Sequence, residues 1–142
     1  MEISNICRIE IDSTEKSSEA KVLETALAVE GYKVSIETTN VYTVKYDFSE
    51  EQFEEIAVAL YNPITETPRI NDPANKKFDF VLELGFLPGV TDNVANTTAE
   101  IINDLFKIEM GRNKVFSSKL LFISGDITEE NLLMVQALAK NI

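Results

Sequence analysis

No histidine occurs in the 142 residues, and Cys7 is the only cysteine. Without an imidazole, no Cys–His or Ser–His nucleophile can be assembled, and a lone thiol forms no disulfide within the chain. Zinc or iron centres built on histidine and cysteine are likewise not expected. Cys7 sits in the alternating stretch Ile6-Cys7-Arg8-Ile9-Glu10-Ile11, which reads as a buried strand cysteine rather than a reactive one. Basic side chains are also few, 13 against 24 acidic ones, for a formal net charge of −11. A surface of that sign repels phosphate backbones and anionic headgroups, so neither nucleic acid nor a membrane is an expected partner. No apolar run approaches the length of a membrane-spanning helix, and a reducing cytoplasm is the expected compartment.

What the chain does contain is a repeated statement. Asp47-Phe48-Ser49-Glu50-Glu51-Gln52-Phe53 reads as a strand end feeding a capped helix. Asp126-Ile127-Thr128-Glu129-Glu130-Asn131-Leu132 repeats it at an offset of 79 residues (126 − 47). The same offset sets Val41-Tyr42-Thr43-Val44 on Leu120-Leu121-Phe122-Ile123, and Ala20-Lys21-Val22-Leu23 on Ala99-Glu100-Ile101-Ile102. Before the first helix the offset falls to 73 (82 − 9), since Ile9-Glu10-Ile11 matches Leu82-Glu83-Leu84. The second copy is therefore longer near Leu87-Pro88-Gly89-Val90-Thr91, and a loop lengthened in one copy is a candidate for function. With 44% hydrophobic content the chain can bury one core. Halves of roughly 70 residues would be marginal alone and are expected to pack together.

The expected organisation is one domain of two repeats, 1–71 and 77–142. In the first, 6–12 is a half-buried strand, Ser13-Thr14 a turn and cap, and 17–30 a helix with Ala20, Leu23, Ala26 and Leu27 on one face, stopped by Gly31. Two short strands, 33–37 and 41–47, are expected to form a hairpin around Thr38-Thr39-Asn40. Ser49 and Gln52 make a capping box for a helix with Phe53, Ile56, Ala57 and Leu60 inward, ended by Asn62-Pro63. A closing strand at 65–70 and a linker around 71–75 follow. The second copy opens with an apolar strand over 78–84, expected nearer the middle of the assembly. Its next helix carries Val94, Ile101, Ile102, Leu105 and Phe106 on one side, with Thr91 or Asp92 as cap. Ser117-Ser118-Lys119 reads as a second hairpin corner, and Leu132, Val135 and Leu138 as the core face of the last helix. The second copy then lacks a counterpart of strand 65–70. The expectation is an amino-terminal piece of something longer, with one sheet edge left open to partners or self-association.

The residues offer little chemistry. Glu50, Glu51, Glu54 and Glu55 are a solvated helix face that favours the positive end of the helix dipole. The segment 87–93 precedes a helix but has one glycine, no following lysine, and Asp92 where an anion would sit, so it is no phosphate cradle. Tyr42 and Tyr46 share a strand face as packing residues. Lys119 is a weak candidate for contacting an anion or a partner.

Phe86-Leu87-Pro88-Gly89-Val90-Thr91-Asp92-Asn93, the small-residue helix start after it, and Leu120-Leu121-Phe122-Ile123-Ser124-Gly125-Asp126 together resemble the amino-terminal domain of long-form phosphoribosylformylglycinamidine synthase. This purine-pathway amidotransferase converts formylglycinamide ribonucleotide and glutamine to the amidine with ATP. The resemblance covers about 80–141 by motif and the first copy by pattern. It implies an α+β fold of tandem strand-helix-strand-strand-helix units arranged like a pair of PurS subunits, with helices on one side. It also implies a noncatalytic assembly role: synthetase and glutaminase parts as partners, no catalytic, cofactor or metal residue in this chain, and ATP with magnesium in the parent enzyme. Leu87, Pro88, Gly89, Asp92, Asn93 and Lys119 are the candidate docking residues. The rival expectation is a metabolite-sensing domain of the ACT type, which shares the alternating strand-helix order.

Overall fold

A computed structural model of the chain describes residues 6–74, 76–85 and 91–140. Alternation over Ile6–Ser13 makes β1, whose Cys7, Ile9 and Ile11 are buried under helices while Arg8, Glu10 and Asp12 take the opposite face. Helix α1 (Ser18–Val29) buries Ala20, Leu23 and Leu27. Its cap is Ser17, whose hydroxyl accepts from the Ala20 N–H at 3.1 Å, rather than the Ser13-Thr14 pair. The remaining elements are β2 (Val34–Lys45), α2 (Glu50–Leu60), β3 (Glu66–Ile70), β4 (Phe80–Gly85), α3 (Asn93–Phe106), β5 (Val115–Gly125) and α4 (Leu132–Ala139), the last preceded by a 3-10 turn, Glu129–Asn131. The capping box forms as expected, with Ser49 and Gln52 each satisfying the other's backbone N–H. The strands form one open sheet in the order β3-β1-β2-β5-β4, antiparallel throughout. The architecture is α+β. None of the described helices is long and apolar enough to cross a membrane.

All four described α-helices cover one face of the sheet. Helices α2 and α3 pack with Cys7, Ile9 and Val44, while α1 and α4 pack with Ile36, Leu121 and Ile123. The strand register places these six residues on a common face. Ile9, Leu23, Ile36, Leu121 and Ile123 are all fully buried. Each contributes about 1.5–3 kcal/mol on burial, more than an exposed ion pair provides. Between edge strand β3 and the opposite edge strand β4, residues 71–74 and 76–79 lie across the other face. There Ala74 covers Val41, Leu120 and Phe122, and Phe78 packs edge-on to Phe122.

Both expected hairpins are absent, and each pair of short strands is one long strand. Thr38-Thr39-Asn40 lacks the glycine that a tight hairpin favours, and its threonines suit an extended chain. Thr39 is fully buried in mid-β2, its hydroxyl donating to Asp12 at 2.6 Å. In β5 the polar run is accommodated by individual partners: Ser117 by Asp92, Ser118 by Glu83, and Lys119 by Glu19. Each expected repeat therefore has one strand, not two, between its helices. Strand β4 is at the edge of the sheet rather than near the middle. Its apolar content is explained by Phe80, Leu82 and Leu84 packing on the α1–α4 side. Helix α3 buries Ala95, Thr98 and Ile102, with Phe106 packed alongside, whereas Val94, Ile101 and Leu105 are substantially exposed. Leu132 and Leu138 of α4 are half-buried around the fully buried Val135.

The register is compatible with both sequence offsets. Ile9 pairs with Tyr42 in the first half, and Leu82 pairs with Leu121 in the second, as offsets of 73 and 79 require. Where β2 meets β5, Asn40 pairs with Lys119, its own counterpart at the 79-residue offset. Thr38 pairs with Leu121 and Tyr42 with Ser117, two pairs that the same offset interchanges.

Candidate functional site

Of the expected docking residues, Leu87, Pro88 and Gly89 lie outside the described residues. Asp92 is half-buried and bonded within the chain. Its Oδ1 accepts from the Ala95 N–H at 2.9 Å and from the Ser117 hydroxyl at 2.6 Å, and its Oδ2 accepts from the Ser117 N–H at 2.8 Å. Gly85 of β4 stands opposite Ser118, and Asp92 holds Ser117, the residue just before it in β5. One carboxylate thus caps α3 and pins it to the sheet. Asn93, the first residue of α3, is exposed. Lys119 stands on the helix-covered face, paired with Glu19 of α1, and burial pushes its ammonium below the usual lysine range. Val94 and Lys119 share a groove of about 500 Å³ there with Tyr42 and Leu84.

The opposite face carries a charge network that the sequence pattern did not reveal. Asp12 accepts from Arg69 Nε at 2.7 Å, the Thr39 hydroxyl at 2.6 Å and Lys76 Nζ at 3.1 Å. Glu10 is 5% exposed and accepts from Arg69 at 3.2 Å and Arg8 at 3.3 Å. Arg8 then spans the two central strands to grip Glu83 of β4 with both terminal nitrogens, at 2.7 and 3.0 Å. Burial alone would raise the Asp12 carboxyl, but hydrogen bonds from Arg69, Thr39 and Lys76 outweigh it and hold the group at about 2. The hydrogen bond from Arg8 chiefly lowers Glu83 as well.

Asp12 and Glu83 are held as ions by these partners and are poorly suited to moving protons near neutral pH. Burial pushes the Cys7 thiol up to about 11, which makes it inert as a nucleophile. Among the described residues, no buried side-chain nitrogen or oxygen lacks a hydrogen-bond partner, and no group of three or more His, Cys, Asp or Glu side chains is placed to hold a metal ion. The chemistry of this face is cohesion: it ties β3, β1 and the 71–79 connection to β4.

A cavity of about 1050 Å³ opens where β5 begins, beside the start of α3. Lys45, Arg112 and Lys114 line it. No local pattern signals this grouping, because Lys45 and Arg112 are 67 residues apart (112 − 45) and meet only through the β2–β5 register, in which Val44 pairs with Val115. Compared with protein-family models, curated proteins and solved structures, the chain matches none.

Proposed function

We propose that this chain is a noncatalytic assembly domain of a phosphoribosylformylglycinamidine synthase, made of two PurS-like units that join the synthetase and glutaminase parts of the enzyme. The observation that carries this reading is the register. Two offsets taken from sequence alone account for the β4–β5 pairing and for the self-pairing of Asn40 with Lys119, as expected of two copies related by a pseudo-two-fold axis. The strand order fits as well, since β3-β1-β2 in one half faces β5-β4 in the other. In this reading β1 and β4 are counterparts, and β4 presents the edge that β3 covers on β1.

The chemistry of the side chains agrees with a scaffold. The buried charges are paired internally, the one thiol is inert, and Phe78, Val81 and Phe116 leave apolar surface on the sheet face away from the helices. ATP and magnesium belong to the synthetase part in this reading. The test mixes the chain with separately produced synthetase and glutaminase parts, then follows comigration and glutamine-dependent amidine formation. Comigration of all three, with turnover that depends on this chain, is expected. If the other two parts assemble and turn over equally well without it, the assembly role is refuted.

A further inference from the structure

The cavity beside α3 gathers three basic side chains that have no carboxylate partner among the described residues. Lys45, Arg112 and Lys114 line it, and none forms an ion pair among the described residues of this strongly acidic protein. Two carboxylates, Glu83 and Asp92, also line it, but both are engaged. Glu83 is gripped by Arg8 and Ser118, and Asp92 accepts from the Ala95 N–H and from the N–H and hydroxyl of Ser117. A second observation comes from the backbone. The turn leading into β5 has positive φ at Gly111 (+86°) and Asn113 (+59°) but not at Arg112 between them. Alternation of this kind turns successive N–H groups toward one concavity, the arrangement that cradles anions. The N–H groups of Gly111, Arg112 and Asn113 donate to no acceptor among the described residues.

We propose that this cavity binds a phosphomonoester, with the phosphate dianion among Lys45, Arg112, Lys114 and the N–H groups of 111–113. Three cations and a set of free amides suit a dianion better than a single carboxylate. The volume exceeds what phosphate alone would fill, and the remaining wall carries the hydroxyls of Thr43 and Ser118 and the amide of Asn96, which suit a polar organic group. The Lys45 ammonium lies 4.8 Å from the centre of the Phe116 ring, which also lines the cavity, so an aromatic face and not a carboxylate is its neighbour there. The inference is independent of the assembly reading, because it rests on the cavity and not on the repeat.

The test is calorimetric titration of the whole chain with AMP, inorganic phosphate and adenosine at low ionic strength. AMP and phosphate are expected to bind saturably, AMP more tightly, and adenosine not at all. Added salt should weaken AMP binding. Arg112→Ala combined with Lys114→Ala should weaken AMP by about tenfold or more, given the worth of charge-assisted hydrogen bonds. Both residues lie in or beside an exposed turn, so an unchanged thermal melt should confirm that the variant folds. Absence of saturable AMP or phosphate binding, adenosine binding equal to AMP, or undiminished binding by the folded double variant would each overturn the proposal.

Discussion

Replacing Asp12 by Asn removes one negative charge from the most enclosed part of the charge network while preserving side-chain shape. Asp12 exposes 18% of its side chain and Arg69 only 14%, so screening by water is limited. A carboxyl lowered from 3.8 to about 2 corresponds to about 2 kcal/mol of folding free energy at neutral pH. Asp12→Asn should lose about that amount there, and not more, because Arg69 keeps Glu10 and Lys76 keeps Glu37. The pH dependence is the sharper part. A depressed carboxyl stabilises the fold above its unfolded value, and the contribution drains away as pH falls from about 4 through about 2. Urea unfolding of both proteins, followed by circular dichroism, should therefore show a gap of about 2 kcal/mol at neutrality that closes toward about pH 2. A gap that stays constant over that range, or none at neutral pH, would refute the assignment of Asp12 as an ion held by Arg69, Thr39 and Lys76.

Asp92→Ala should destabilise by about 2–3 kcal/mol, combining a lost helix cap with an unpartnered Ser117. Asn93→Ala should stay within about 0.5 kcal/mol of the parent, and equal melting temperatures for the two variants would contradict the pin described for Asp92. Gly125→Ala should cost about 2 kcal/mol or more, because φ there is +127° and a Cβ would lie 2.6 Å from the Lys33 carbonyl oxygen; a denaturant midpoint equal to the parent's would count against this. The Cys7 thiol, 0% exposed, should react with a thiol reagent only at the rate of global unfolding, and stoichiometric labelling of the native chain within seconds would contradict the core placement. The β4 edge should drive concentration-dependent self-association in sedimentation, and a strictly monomeric chain would mean that the edge is otherwise protected.

Local signals were legible where a short stretch decides its own structure. The Ser49–Gln52 box, the Asp92 cap, the alternation of β1, the closing strand β3 and the stop at Gly31 all depend on neighbours within a few residues. The uninterrupted course of β2 and β5 was not legible, because their polar centres are stabilised by distant partners: Asp12 for Thr39, Asp92 for Ser117 and Glu19 for Lys119. Nor was the inward face of α3, which depends on the helix and sheet surfaces it meets. The candidate docking residues show the same division, since Asp92 could be read as a cap but not as the anchor of β5. Sequence alone determined the periodicities, the caps and the net charge. Only the tertiary structure decided that Arg8 reaches Glu83 across the two central strands and that Lys45, Arg112 and Lys114 share one cavity, because antiparallel register sets distances that chain separation does not.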